Sequence, residues 1–270
     1  QFDENAGIAS SLSIARVGQR LYVTTQSGLY LLQPATDELG AQFALVHPGI
    51  RLTTTLAALG SDLLVAGDGV SLVANADQPA LATARKLPIQ LHSFVVVSSR
   101  HHARSAFVGH QSGVSQILDI GGANERAITV LEVPGGIYEI VEEDAQTLWI
   151  ANRGGKLWRV DLRSEPAQAE ELSTLPGLVT KTEPIRPFAG RDGTWIGTVR
   201  GVRRYDAQAR QFVEPPGMDE LLLQREIFVL IEDAAGNLWG RVNGVTGVAW
   251  REGARYRWDP TVFGAADLRP

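Results

Sequence analysis

Short apolar runs alternate with polar and turn-forming residues along most of this chain, and the C-terminal part shows the pattern clearly. Residues 226–231 are mostly apolar and include the β-branched Ile227, Val229 and Ile231, and the Gly and Asn of residues 233–237 favour a turn. A second run begins at Leu238, a third covers residues 245–250, and an outer run covers residues 255–258. Runs of this length, closely spaced and separated by Gly or Asn, predict β-strands joined by tight hairpins.

The same plan returns six times. A large apolar residue, here called the anchor, marks the second strand of each repeat, and successive anchors are 42 to 46 residues apart. The anchors are Tyr22, Leu64, Phe107, Trp149, Trp195 and Trp239. A glycine follows each anchor after five or six residues, where the chain turns into the third strand. Because one four-stranded sheet has two apolar faces that only neighbouring sheets can cover, this period predicts a β-propeller.

The predicted fold is therefore all-β, a propeller of about six four-stranded blades. The repeats approximate residues 7–50, 51–88, 89–135, 136–176, 177–223 and 224–262, and residues 1–270 are expected to form a single domain. A seven-bladed propeller, or an incomplete part of a larger one, stays open as the alternative, because residues 263–270 resemble the start of a further repeat. Residues 164–172 fit a loop or an edge strand better than a helical turn.

Composition narrows the function. The chain has 270 residues, of which 44% are hydrophobic, enough for a buried core. Its formal charge of -5 and the absence of a basic run argue against nucleic-acid binding, which needs clustered Lys and Arg. No apolar stretch approaches the length of a membrane helix, so we expect no membrane contact within this segment. Without cysteine, disulfides, thiolate metal sites and a cysteine nucleophile are excluded.

Motifs for catalysis or metal binding are absent from the sequence. There is no nucleophile elbow, zinc-protease motif or phosphate loop, so we expect no catalytic residue, no metal site and no cofactor. The paired His101 and His102 lack a third ligand nearby and adjoin two arginines, which favours an exposed loop. The acidic residues 142–144 coincide with a repeated turn, which favours a structural role over calcium binding.

Ligand-binding candidates come from the turns between the second and third strands. Polar residues that differ from repeat to repeat occupy these turns: Gln26, Asp68, His110, Arg153, Arg200 and Asn243. Loop residues are free of the packing demands of the core, so variation there suits recognition. The simpler interpretation is that they are only solvated turn residues. Arg153 and Arg200 would suit a carboxylate or sulfate group. Tyr256 and Trp258 would stack on sugars, pack within the outer strands, or lie at the seam with a missing blade.

The repeats resemble the two-component regulator propeller repeat. Repeat six carries Ile-Glu-Asp-Ala-Ala-Gly-Asn-Leu-Trp at residues 231–239, and Asn-Gly-Val at residues 243–245. Repeat five supplies Asp-Gly-Thr-Trp-Ile-Gly-Thr at residues 192–198 and Arg-Tyr-Asp at residues 204–206. Repeat six departs from the pattern, since Gly240 and Arg241 stand where Ile-Gly-Thr is expected.

The resemblance implies the extracytoplasmic sensing domain of a bacterial signalling receptor, located in the periplasm, with a kinase or cyclase output outside this segment. It implies a small molecule or glycan, or the remaining domains of the same receptor, as partner, and a homodimer of the full receptor is compatible with it. Two alternatives stay open. One is a protein–protein scaffold without a small ligand. The other, a propeller lyase or lactonase, is disfavoured by the five histidines and the lack of an inward-facing acidic set.

Overall fold

The computed structural model describes residues 13–36, 40–47, 49–50, 53–178 and 183–263 of the chain. These residues form six four-stranded antiparallel sheets and one short helix, so the predicted all-β architecture is confirmed. The chain divides between Tyr138 and Glu139 into two compact units. The expected start of repeat one at Gly7, and residues 264–270 of the expected further repeat, lie outside the described residues.

The first unit holds three sheets, each a meander in which strands follow one another in chain order. Sheet one contains β1 (Ser13–Val17), β2 (Arg20–Thr25), β3 (Gly28–Gln33) and β4 (Gln42–His47). Sheet two contains β5 (Leu56–Leu59), β6 (Asp62–Gly67), β7 (Gly69–Ala74) and β8 (Thr83–Lys86). Sheet three contains β9 (Ser93–Ser98), β10 (Ala106–His110), β11 (Gly113–Leu118) and β12 (Arg126–Glu132).

The second unit repeats this plan. Sheet four contains β13 (Ile137–Asp144), β14 (Thr147–Asn152), β15 (Leu157–Asp161) and β16 (Gln168–Glu171), and β13 begins at the boundary between the units. Sheet five contains β17 (Arg186–Gly190), β18 (Gly193–Thr198), β19 (Gly201–Asp206) and β20 (Gln211–Val213). After helix α1 (Glu220–Gln224), sheet six contains β21 (Ile227–Glu232), β22 (Leu238–Val242), β23 (Val245–Glu252) and β24 (Arg255–Asp259).

Of two details of secondary structure, the expected edge strand is confirmed and a short helix was not expected. Residues 164–172 contain the edge strand β16, as expected. Helix α1 was not expected, because five residues are too short to show a helical period. The side chain of Asp219 accepts a hydrogen bond from the backbone N–H of Leu221 at 2.9 Å and starts the helix. Leu222 is fully buried in the cluster between sheets five and six.

The anchors lie in the second strand of their sheets, and one face of each sheet carries them. Strand pairing places Phe188 opposite Trp195 and Ile231 opposite Trp239, so each pair shares one face. Five anchors are at most 4% exposed: Tyr22, Leu64, Phe107, Trp149 and Trp195. Trp239 is only half-buried, although its ring contacts Trp250 and Phe263 edge-on.

Within each unit the anchor face of one sheet packs against the opposite face of the next. In the first unit, Tyr22 lies in one cluster with Leu63 of sheet two, and Leu64 lies in another with Val108 of sheet three. In the second unit, Trp149 packs with Ile196 of sheet five. Removing a tryptophan of about 150–250 Å² from water contributes about 4–6 kcal/mol at about 25 cal/mol per Å². These contacts are the main apolar core of each unit.

A small residue two positions after the anchor lets the sheets approach closely. A Cβ atom added to Gly109 would lie 2.6 Å from the carbonyl oxygen of Ile137. One added to Gly197 would lie 3.1 Å from Cγ2 of Ile227. The corresponding residues in the other sheets are Thr24, Ala66, Ala151 and Arg241. Arg241 is the exception, and the strand residue paired with it, Val229, is 41% exposed.

Acidic side chains near the hairpin between the first and second strands of a sheet form hydrogen bonds that hold the anchor tryptophan in place. Glu143 accepts hydrogen bonds from the indole N–H of Trp149 at 3.1 Å and from the backbone N–H of Thr194, in the next sheet, at 3.0 Å. Asp144 accepts a bond from the backbone N–H of Gln146 at 2.8 Å and closes the turn. The structural interpretation of this acidic run is therefore confirmed.

The burial difference between the tryptophans predicts different losses of stability. Trp149→Ala is expected to lower the free energy of unfolding by about 3–5 kcal/mol, because it leaves a cavity between two sheets. Trp239→Ala is expected to lower it by clearly less, since its ring is already half in water. Urea unfolding followed by circular dichroism measures both. Equal losses for the two variants would contradict the packing described above.

Asp233 gives a prediction on pH. Hydrogen bonds from the Trp239 indole N–H, at 2.8 Å, and from Asn237 hold the pKa of Asp233 down to about 2. Because this folded pKa is below the ordinary value of about 3.9, the stabilisation is full above that value and is lost as the pH falls towards 2. Asp233→Asn should therefore melt at a lower temperature than the wild type near pH 6, and the gap should close on acidification. Asp192→Asn, which changes an exposed carboxylate, is the matched control; a gap independent of pH for Asp233→Asn would refute the assignment.

Candidate functional site

The turn between the second and third strands has the same construction in most sheets. A polar residue at the end of the second strand bonds to the backbone of the turn and fixes its path. Thr25 Oγ1 accepts from the N–H of Ser27 at 3.1 Å, and Asn152 Oδ1 accepts from the N–H of Lys156 at 3.0 Å. Thr198 Oγ1 accepts from the N–H of Arg200, also at 3.0 Å. Since the strand-final residue does this work, the residues at the tip of each turn are left to face solvent.

His110 is one of the strand-final residues that hold the turn backbone. It lies in β10 and not in the turn, so the predicted position of His110 in the turn was wrong. It is the last residue of β10 and only 4% exposed. Its Nδ1 accepts from the N–H of Ser112 at 3.3 Å, and its Nε2 lies 3.0 Å from the hydroxyl of Ser115. Burial lowers the pKa of His110 and keeps the ring neutral. The residue at the tip of this turn is the exposed Gln111, which follows its anchor by four residues, as Gln26, Asp68, Arg153 and Asn243 follow theirs.

Gln26 and Asp68 lie where the sequence places them, at exposed turn tips in the first unit. Their main chains are held differently. The carbonyl oxygen of Thr25, beside Gln26, accepts a bond of 2.5 Å from the hydroxyl of Thr53. Asp68 forms an isolated bridge with His92, and its carbonyl oxygen accepts a bond from the ammonium of Lys86. Both side chains are thus presented on well-anchored turns.

Arg153, Arg200 and Asn243 are the exposed tips in the second unit, and their turns lie at one end of its sheets. Ile227 pairs with Val242 just before the Asn243 turn, and the backbone of Gly197 approaches Ile227 just before the Arg200 turn. Asn243 takes the left-handed conformation, φ 49°, and donates its N–H to the carbonyl of Glu226 at 2.8 Å. We name this end of the unit the second-unit turn end.

Three further residues at this end were missed by the sequence analysis: Arg186, Phe228 and Arg241, here called the arginine–phenylalanine cluster. The ladder between β21 and β22 shifts register between Ile227 and Val229, and Phe228 at the shift is 47% exposed. The guanidinium carbon of Arg186 lies 4.1 Å from the centre of the Phe228 ring, and that of Arg241 lies 5.7 Å away. No sequence signal marks the shift, so the exposure of Phe228 could not be predicted.

Glu139 balances part of this positive charge. Its carboxylate lies 3.6 Å from the guanidinium of Arg186. Burial raises the pKa of Glu139, and the nearby Arg186 opposes that rise. The site thus combines one exposed aromatic face with two guanidinium groups and a partly desolvated carboxylate. An arginine guanidinium binds a carboxylate or sulfate group through two parallel hydrogen bonds, and the aromatic face of Phe228 gives a stacking surface.

The other candidates have plain structural roles. Trp258 is 8% exposed in the core between sheets five and six, and Tyr256 meets Trp195 edge-on at 5.8 Å, so both pack within the outer strands. His101 and His102 are exposed, and their backbone N–H groups bond to the hydroxyl of Ser99.

In the described part of the chain, no three His, Asp or Glu side chains are placed to hold a metal ion. No helix among those residues has the length and apolarity needed to cross a membrane.

The fold is similar to solved structures that include a β-propeller domain and the extracellular domains of one-component and hybrid two-component systems. No protein-family model matches the sequence, and no curated protein matches it. A structure described as the extracellular domain of the one-component system BT4673 from B. thetaiotaomicron is similar with a TM-score of 0.63 and 14% identity, over 90% of this chain and 33% of that one. That of the hybrid two-component system BT3049 from the same organism gives 0.61 and 15%, over 92% and 34%. The chain thus spans about a third of the length of these proteins.

YCF48 from Cyanidioschyzon merolae is similar with a TM-score of 0.62 and 12% identity, over 93% of this chain and 85% of that one. Similarities at these identities establish the fold, and the predicted six-bladed β-propeller class is confirmed. Two of the similar structures are described as extracellular domains of one-component and hybrid two-component systems, and the repeats of this chain resemble the two-component regulator propeller repeat.

The buried histidine predicts a pH effect on stability. Because the folded pKa of His110 lies below the ordinary value of about 6.5, its contribution is full above that value and is lost as the pH falls below it. The free energy of unfolding should therefore fall more between about pH 7.5 and about pH 5.5 for the wild type than for His110→Gln. His47, whose pKa burial also lowers, stays in both proteins and cancels in the comparison. Identical pH profiles would show that His110 is solvated.

Proposed function

We propose that this chain is the ligand- or partner-sensing propeller of an extracytoplasmic bacterial receptor, working in the periplasm. The observation that carries the proposal is the agreement between two independent signals. The repeats resemble two-component regulator propellers, and solved structures with the same fold are described as extracellular domains of one-component and hybrid two-component systems. A kinase or cyclase output outside this segment, and a homodimer of the full receptor, belong to the same proposal.

The second-unit turn end is the proposed recognition surface. Its turn tips Arg153 and Arg200 and the arginine–phenylalanine cluster bring several guanidinium groups to one end of the unit. These groups suit an acidic glycan or small molecule, whose carboxylate or sulfate groups would bond to the arginines while a ring lies on Phe228. No catalytic role and no cofactor are proposed.

A protein–protein scaffold is the second candidate, and specific observations favour it. YCF48, which has the same fold, has been solved bound to D1 peptide, and a structure of the Mitotic Checkpoint Complex is also similar. Exposed aromatic residues and arginines are the side chains most enriched at the centres of protein interfaces. In this alternative the same surface would hold another domain of the receptor in place of a small ligand.

Binding of acidic oligosaccharides distinguishes the two candidates. A panel carrying carboxylate or sulfate groups, with matched neutral oligosaccharides, is titrated calorimetrically into the wild type and into Arg186→Gln/Arg241→Gln. The wild type should bind acidic members, and the double variant should bind them about 10–100-fold more weakly, as expected for hydrogen bonds between charged groups worth about 1.5–3 kcal/mol. Arg210→Gln/Arg257→Gln removes two exposed arginines of the same unit, one in the turn before β20 and one on β24, and should bind like the wild type.

Two outcomes separate the candidates further. If no oligosaccharide binds but the remaining domains of the receptor are captured by the wild type and not by the double variant, the scaffold is correct. If neither binds, or if the coding region around this segment contains neither a membrane helix nor an output domain, the receptor proposal is wrong.

A further inference from the structure

The carboxylate of Glu139 already occupies one of the arginines at the second-unit turn end. A carboxylate oxygen of Glu139 lies 3.6 Å from a guanidinium nitrogen of Arg186. The guanidinium carbon of the same arginine lies 4.1 Å from the centre of the Phe228 ring. An acidic ligand that approaches Arg186 therefore meets a group of its own charge beside the guanidinium.

The pair formed by Glu139 and Arg186 is loose. Its nitrogen–oxygen distance of 3.6 Å exceeds the distance of about 2.7–2.9 Å that is usual for a hydrogen bond between charged groups. The Glu139 side chain is 38% exposed and the Arg186 side chain 23% exposed, so water reaches both groups. Ion pairs that water reaches contribute little to stability, and replacing Glu139 by a ligand group therefore costs little.

Arg186 is the charged neighbour that acts on Glu139. Strands β14 and β18 carry no titratable side chain, and the other carboxylates of β13, at residues 142–144, lie towards the opposite end of that strand. The charged side chains at the strand starts and turn tips of this end include Arg153, Glu183, Arg186, Arg200, Glu226 and Arg241. The balance between Glu139 and Arg186 is therefore the one that a ligand at this end disturbs first.

The surroundings of Glu139 also favour its protonated form. Burial raises the pKa of Glu139, and Arg186 opposes that rise. A ligand that takes Arg186 away removes the opposing charge and adds a negative one, and both changes raise the pKa of Glu139 further. Residues 139–270 contain no histidine, so a carboxylate with a raised pKa is the group expected to titrate in this unit between about pH 5 and about pH 7.

We propose that Glu139 regulates the second-unit turn end by competing with an acidic ligand for Arg186. Without ligand, the Glu139 carboxylate holds the guanidinium. When ligand binds, its sulfate or carboxylate group takes that place, and the Glu139 carboxylate takes up a proton from the solvent. Ligand and acidity then favour the same state of the site, each strengthening the effect of the other. This inference rests on the proposed recognition surface and adds its regulation.

Titration calorimetry of the whole chain with sulfated oligosaccharides tests the proposal, because their sulfate groups stay ionised throughout the pH range used. The wild type should bind about two- to fivefold more tightly at about pH 5.5 than at about pH 7.5, as expected for the loss of a solvent-exposed ion pair. Repeating the titration in two buffers with different ionisation enthalpies measures proton exchange. The heats should show that the wild type takes up protons on binding.

Two variants assign the effect to Glu139. Glu139→Gln keeps the shape of the side chain and removes its charge, so at about pH 7.5 it should bind about two- to fivefold more tightly than the wild type. It should also bind with a weaker dependence on pH and with less proton uptake. Glu252→Gln is the matched control, because Glu252 is paired with Arg257 at 2.8 Å and ends β23 at the far end from the Asn243 turn. It should bind like the wild type at both pH values.

The outcomes separate this inference from the proposed function. If the wild type binds equally tightly at both pH values without proton uptake, or if Glu139→Gln keeps the pH dependence of the wild type, the competition is refuted while the recognition surface stands. If neither the wild type nor Glu139→Gln binds a sulfated oligosaccharide at either pH, the competition and the small-ligand candidate for this surface are both refuted.

Discussion

The close approach of one sheet to the next is the constraint on which each unit depends. At Gly109 and Gly197 a single added carbon would meet the neighbouring strand at 2.6 Å and 3.1 Å. Only with that separation do the large anchors reach across and fill the space between sheets, as Trp149 and Trp195 do. The dense packing of protein interiors explains why a methyl group at such a point would force the sheets apart. The small residue and the large anchor are therefore both needed for this packing between sheets.

This packing between sheets has a consequence for the turns. The core is built by strand residues, and strand-final residues such as Thr25, Asn152 and Thr198 hold the turn backbone, so the turn path does not depend on which side chain stands at the tip. The tips can then differ from sheet to sheet without cost to stability. A fixed backbone at a recognition surface limits the entropy lost on binding to that of the side chains, which favours binding.

Much of the architecture was predictable because the period, the anchors and the turn glycines are written in local sequence. All six anchors lie in second strands, and the strands of repeat six follow their predicted order. Other features depend on three-dimensional context. His110 looked like a turn residue because its offset from Phe107 was not compared with the other repeats, while Phe228 is exposed by a register shift that no local pattern records.

Arg241 sets the sixth repeat apart from the others. It stands where Thr24, Ala66, Gly109, Ala151 and Gly197 stand in their sheets, and it places a guanidinium on a face that elsewhere carries a small side chain. The six modules are consequently not interchangeable: at a position where a small residue lies between two closely packed sheets, Arg241 would force a positive charge into an apolar contact. Repeat six therefore differs in chemistry from the other five at this position, even though its strands follow the common plan.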